Sequence, residues 1–183
     1  VSGFGSVFVN GVEFRTDGNV VSDDGIKSES QLVEGMILRV EGEWRSDYTG
    51  NAEVVEYDDS LRGELTVVSA WNAVTRTAEI SILGQTVRID AQTVVKGKMV
   101  EQLTNGDFVR MSGWRMPGGG FRASYLGLST SNNSSDFDDF NGAELEGEIS
   151  YLNTAQKTFS IGTQVVSYGS AEYIGVKETD LAD

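Results

Sequence analysis

Leu103-Thr104-Asn105-Gly106-Asp107-Phe108-Val109-Arg110-Met111-Ser112-Gly113 is the stretch that decides the fold. A leucine leads into a glycine corner, and a run rich in β-branched and aromatic residues leaves it, as expected where a chain turns into a strand. The same arrangement stands at Leu32-Val33-Glu34-Gly35-Met36-Ile37-Leu38-Arg39-Val40-Glu41-Gly42, with its spacing kept throughout. Gly84 precedes Leu103 by 19 residues, and Gly162 precedes Leu181 by the same 19. Self-similarity takes precedence over length, so the chain of 183 residues reads as modules of about 60 residues each. The third copy reaches Leu181 and stops before its closing strands, so it is expected to be trimmed or completed by another segment.

Outward from that stretch the chain alternates with period two and lacks long helical periodicity, an all-β reading. In the second copy, strands are expected from about Arg62 to Ala70, Thr77 to Leu83 and Thr86 to Asp90, the last two joined across Gly84-Gln85. Residues 97 to 106 read as a helical turn, with Met99, Val100 and Leu103 on one face and Gly106 closing it. Phe108 to Trp114 and Phe121 to Leu128 then pair across Met116-Pro117-Gly118-Gly119-Gly120. Three strands, a short helix and two strands is the order of the oligonucleotide/oligosaccharide-binding (OB) barrel, with an SH3-like barrel as its rival. The first copy follows this plan at Ser6 to Val9, Gly11 to Phe14, a segment containing Leu32, Met36 to Trp44 and Ala52 to Tyr57. The third offers Gly147 to Leu152, Thr158 to Ile161 and Gln164 to Tyr168.

The expected fold class is therefore all-β: tandem small OB-like β-barrels, two complete modules (1–60 and 61–128) and a third, incomplete one (142–183). The junction Tyr57-Asp58-Asp59-Ser60-Leu61-Arg62-Gly63 is short and implies a fixed orientation. Residues 129–141 open with Ser129-Thr130-Ser131-Asn132-Asn133-Ser134-Ser135-Asp136 and read as a flexible acidic and polar linker.

Composition sets the chemical limits. Against 14 basic residues stand 28 acidic ones, a net charge of −14 that opposes nonspecific binding to nucleic acid or anionic lipid. With neither cysteine nor histidine, the chain has no disulfide, thiol nucleophile, imidazole base or usual zinc ligand. No apolar run approaches bilayer-spanning length. The opening Val-Ser-Gly is read as the start of a processed or excised chain, compatible with secretion.

The pattern resembles domain-of-unknown-function family 5666, met as tandem copies in exported bacterial proteins. The residues that carry the likeness are Gly3 to Phe14, the Tyr57-Asp58-Asp59 lead into Leu61-Arg62-Gly63, the hairpin Leu83-Gly84-Gln85-Thr86-Val87, and the Gly35 and Gly106 corners. The third copy matches at Leu145-Glu146-Gly147-Glu148-Ile149 and Ile161-Gly162-Thr163-Gln164-Val165-Val166, and departs by its early end. The resemblance implies OB-like barrels and export, and no catalytic residues.

The acid pairs Asp23-Asp24, Asp58-Asp59 and Asp138-Asp139 read as solvated turn residues. Asp136, Asp138, Asp139 and Asn141 place four oxygen ligands within six positions, a cluster that suits calcium, although the EF-hand pattern fails at Phe140, Asn141 and Gly147. No other cofactor is expected. Trp44 and Trp114, with Tyr48 and Phe121, are candidate ligand-stacking residues, and so is Trp71. Because Trp44 and Trp114 follow equivalent glycines, packing at the barrel end is the plainer reading. Arg39, Arg110, Arg115 and Arg122 form the cationic grouping. Arg39 and Arg110 occupy equivalent strand positions, where cross-strand salt bridges are the simpler expectation.

The functional expectation is a non-catalytic structural or interaction protein, secreted, periplasmic or at the cell surface. It self-associates or takes a completing strand through its incomplete module. The alternatives are glycan binding on the Trp-bearing faces, with oligonucleotide less favoured, and a hydrolase using two carboxylates across a cleft.

Overall fold

The structure is a computed structural model describing residues 5–22, 24–137 and 142–182. The first module opens with the hairpin β1 (Ser6–Val9) and β2 (Val12–Arg15). Its turn, Asn10-Gly11, holds both residues at positive φ (50° and 82°), the backbone that matches strand twist in two-residue hairpins. β3 (Leu38–Trp44) and β4 (Thr49–Tyr57) follow a 3-10 turn at Glu29–Gln31. The sheet order is β1-β2-β4-β3, with β2 and β4 parallel and the other pairs antiparallel. Val7, Val20, Ile26, Leu32, Val55 and Tyr57 form its buried core.

The second module contains β5 (Leu61–Asn72), β6 (Thr77–Ile82), β7 (Gln85–Asp90), β8 (Val94–Lys96), β9 (Phe108–Arg115) and β10 (Phe121–Leu128). Five of these strands close on themselves as β5-β6-β7-β10-β9-β5, with β8 paired parallel to β10. Alternation drives the closure. β6 turns Ala78, Ile80 and Ile82 inward, and β7 turns Val87 and Ile89 inward, onto Leu61, Leu65, Val109, Met111 and Phe121. Each such aliphatic side chain contributes roughly 1.5–3 kcal/mol by leaving water.

In the third segment, β12 (Ile149–Asn153), β13 (Thr158–Ile161) and β14 (Gln164–Ser167) form a three-stranded antiparallel sheet. The short β11 (Glu144–Leu145) belongs elsewhere, pairing antiparallel with the Leu61–Arg62 end of β5, where Leu145 packs against the barrel core. The three-stranded sheet rests on the same barrel. The Gln85 side-chain amide donates to the Ile161 carbonyl at 2.9 Å, and the Thr163 hydroxyl donates to the Gly84 carbonyl at 2.9 Å.

Two expectations are corrected by this fold. The helical turn at 97–106 is reduced to a 3-10 turn, Val100–Gln102. Val100 and Leu103 pack on the core while Met99 faces solvent, because extended backbone at Met99 (φ −75°, ψ 148°) takes it off the helical face. The unanchored tether at 129–141 is anchored over its described part. Asn132 accepts from the Phe108 N–H at 2.9 Å and donates to the Gly106 carbonyl at 3.1 Å, and the Phe137 carbonyl accepts from Arg110 at 2.8 Å. Residues that look like solvated linker thus supply the partners of an otherwise open barrel rim.

Candidate functional site

The most unusual chemistry lies between the first two modules. Asp24 follows the bridge that lays Val21 alongside β4, where the Val21 N–H donates to Val55 O at 2.8 Å and the Tyr57 N–H donates to Val21 O at 3.0 Å. That pairing carries Asp24 to the end of β4, where the chain passes into β5. The Asp59 N–H donates to Asp24 Oδ2 at 2.7 Å. Arg62, on β5, reaches back to Asp24 Oδ1 at 2.5 Å and Asp59 Oδ2 at 3.1 Å, and its other terminal nitrogen lies 3.1 Å from Glu144. Arg110, the cross-strand neighbour of Arg62, lies 3.4 Å from Asp59 and donates to the Asp24 carbonyl at 2.6 Å. Its guanidinium also stacks 4.5 Å from the Phe137 ring. The Tyr57 hydroxyl donates to Asp59 and stands 3.4 Å from the Ser112 hydroxyl.

Asp24, Asp59, Arg62 and Arg110 are all buried, Asp59 completely, so the pairs at 58–59 and 23–24 are not simply solvated turns. Asp23, Asp138 and Asp139 lie outside the described residues. Burial raises Asp59 to about 7 against the pull of Arg110 and Arg62. Burial also works against Asp24, yet the Asp59 N–H and Arg62 outweigh it and hold that carboxyl below its usual range. Glu144 is pushed up to about 10 by burial and by the Asp58 and Asp24 carboxyls beside it. Two carboxyls and two guanidiniums are fully buried there, and the partly buried Glu144 and exposed Asp58 at the margin add negative charge, which opposes full ionisation of the cluster.

Could the cluster take a metal? Asp24, Asp58 and Glu144 bring carboxylate oxygens within 4.8 Å of one another, the hard oxygen donors that calcium prefers. Arg62 already contacts two of those three, however, and supplies the cation itself. The other proposed ligand set is only partly visible. Asp138, Asp139 and Asn141 lie outside the described residues, and Asp136 spends its carboxylate on the hydroxyls of Ser129, Thr130 and Ser131 and on the Ser131 N–H. Those bonds hold its carboxyl well below the usual range.

The split between Asp24 and Asp59 superficially matches a general acid and base. Both are sealed from solvent and bonded to arginine, so a glycosidic oxygen cannot reach them.

The aromatic candidates separate. Trp114 is 56% exposed, and Trp44 and Tyr48 are also exposed, so Trp44 and Trp114 do not pack as barrel-end caps. Trp114 stands between two grooves. One, of about 430 Å³, is lined by Leu38, Glu56, Asp58 and Glu146, and the other, of about 300 Å³, by Phe8, Val9, Met36 and Leu38. Phe121 is corrected outright. It is 1% exposed, in the barrel core, with the Arg115 guanidinium 4.7 Å over its ring. Trp71 packs partly buried against the same core.

Among the arginines, Arg39 bridges its cross-strand partner Glu56 at 3.0 Å as expected, whereas Arg110 is buried in the junction. Arg122 bonds Asp90 at 2.6 Å, and Arg115 bonds the Glu146 carbonyl. These four arginines are each engaged within the chain.

A family model described as a domain of unknown function, DUF5666, matches the chain twice, at residues 1–56 and 66–126. The chain belongs to the DUF5666 family. Asp24 and Arg110 fall within the two DUF5666 matches, while Asp59 and Arg62 fall between them, so the charge network ties one domain to the next through the connecting residues. Against curated proteins, no significant match is found.

Proposed function

We propose that this DUF5666 chain is a non-catalytic structural and interaction module of the bacterial cell envelope or exterior. The buried junction carries that reading, because the best-placed ionisable groups fix one barrel to the next instead of facing a cleft. An open four-stranded module tied to a closed barrel, with a further small sheet docked on that barrel, suits a spacer or assembly element. The three-stranded sheet leaves the outer edges of β12 and β14 without a strand partner among the described residues, and Tyr151 and Val165 on them are exposed.

Light scattering coupled to size exclusion, over a wide range of concentration, tests this. Self-association that Tyr151→Asp and Val165→Lys disperse supports it. A strict monomer at every concentration removes the self-assembly component.

A second reading, glycan binding, is favoured by one observation. Trp114 presents its indole between two grooves whose acidic rims include Glu34, Glu56 and Glu146. Sugars stack on such faces and bond to such carboxylates. Quenching or a shift of tryptophan emission on adding soluble oligosaccharides, lost in Trp114→Ala, supports this reading.

A further inference from the structure

The second and third modules carry the same turn into the same strand. Asn72-Ala73-Val74-Thr75-Arg76-Thr77 and Asn153-Thr154-Ala155-Gln156-Lys157-Thr158 both run from an asparagine to a threonine, with a cation directly before the threonine. The backbones agree. Each asparagine side chain accepts from the residue three positions on, from the Thr75 N–H at 3.1 Å and the Gln156 N–H at 3.0 Å, and each cation stands in the left-handed region, Arg76 at φ 54° and Lys157 at φ 56°. Across the next hairpin Thr77 pairs with Asp90 and Thr158 with Ser167, so Ala91 and Tyr168 hold equivalent places. Leu103 and Leu181, which follow the 3-10 turns Val100–Gln102 and Glu178–Asp180, align Val100 with Glu178.

The third module closes this corner with its own side chains. Lys157 bonds Glu178 and lies 5.8 Å from the centre of the Tyr168 ring, which is buried and stacks on Phe159. The second module keeps the cation and lacks both partners. Ala91 stands in place of the tyrosine and Val100 in place of the glutamate, and a pocket of about 340 Å³ opens there, lined by Trp71, Ile89 and Val95 together with Arg76, Lys98 and Asp90. Lys98 is held by Asp107 at 2.5 Å and Asp90 by Arg122 at 2.6 Å, whereas the Arg76 guanidinium meets no acceptor among the described residues. At a positive φ glycine or asparagine is less strained than arginine, so the turn itself gives no reason for Arg76.

We propose that this pocket of the second barrel binds a uronate, a sugar ring bearing one carboxylate. The ring and the carboxylate that Tyr168 and Glu178 supply in the third module come here from the ligand. Its carboxylate pairs with Arg76, its apolar C–H face packs on Trp71, and its hydroxyls meet Lys98 and Asp90 at the rim. Arg76 and Lys98 offset locally the repulsion that a chain of net charge −14 exerts on an anion. An aromatic acid would fill the same space but give the rim groups no new partner. The pocket shares no lining residue with the grooves beside Trp114, so it stands or falls apart from glycan binding there.

The test is calorimetric titration of the full chain with a galacturonate trisaccharide, with a galactose trisaccharide and benzoate as comparisons. Saturable binding of the galacturonate, weakened about tenfold or more in Arg76→Gly and absent for both comparison compounds, is the expected result. Arg76→Gly relieves backbone strain, so its thermal melt should lie no lower than the parent's, which separates lost binding from lost fold. Ala91→Tyr with Val100→Glu rebuilds the plug of the third module and should abolish binding, while Trp114→Ala should bind as the parent does. No heat at millimolar galacturonate overturns the site. So does equal affinity for the galactose trisaccharide or for benzoate, and so does binding kept in Arg76→Gly and lost in Trp114→Ala, which would place the sugar in the grooves between the modules.

Discussion

Arg62 bonds Asp24 at 2.5 Å across the boundary between two modules, joining residues 38 apart in sequence, and both are buried. Neither module keeps this contact to itself. The orientation of one module on the next is set by a charge pair with little exposure to solvent or salt.

Arg62→Ala leaves Asp24 and Asp59 buried without their shared cation, a change that typically costs about 3–5 kcal/mol. Urea denaturation followed by far-ultraviolet circular dichroism should show that loss. A loss under about 1 kcal/mol would mean that the network contributes orientation but little stability.

The junction also sets a pH dependence. Asp59 (3.8 raised to about 7) and Glu144 (4.5 raised to about 10) favour the folded state most when protonated. Their contribution is complete below the unfolded values and is lost as pH rises through the folded ones. Asp24, Asp90 and Asp107 are lowered, so theirs is present above 3.8 and lost in acid. Thermal melts should therefore peak in mildly acidic buffer and decline toward pH 9, and Glu144→Gln should flatten the alkaline decline.

Gly35 and Gly106 form a matched pair of corners, at φ +90° and +87°. A methyl group at Gly106 meets open space, whereas at Gly35 it would lie 2.5 Å from the Ser124 carbonyl of the second barrel. Gly106→Ala should cost only the left-handed strain of about 1–2 kcal/mol. Gly35→Ala should cost more, and the excess, read from paired denaturation curves, measures the contact between barrels.

Phe121→Ala should cost about 3–5 kcal/mol through the cavity it leaves. Trp114→Ala should stay within about 0.5 kcal/mol of the parent, since the indole is more than half exposed. Both are checked by chemical denaturation, and the contrast separates the aromatic that builds the barrel from the one free to meet a ligand.

The barrels were legible because their signals are local. The glycines at 11, 84, 35 and 106 mark the turns, although the structure sets the two hairpin turns one residue earlier than read, at Leu83-Gly84 and Asn10-Gly11, and alternation in Thr77–Ile82 fixes the buried face. The site was not legible, because its members meet only when two modules dock. Asp24 and Asp59 are acids in turns, and their burial depends on arginines elsewhere in the chain. One signal was present. Arg62 and Arg110 face each other across β5 and β9, and two like charges paired in a sheet demand acids close by. Strand β8 and the pairing of β11 with β5 were equally hidden, since segments of three and two residues carry no readable period.

The fork of Arg62 acts as a crosslink in a chain that has no cysteine. It closes a loop between Asp24 and β5 and ties in Glu144 from farther along, reducing the freedom of the connecting backbone as a covalent staple would. Unlike a disulfide it needs no oxidant to form and no reductant to open, so the coupling between neighbouring barrels is indifferent to redox conditions and answers to protons instead.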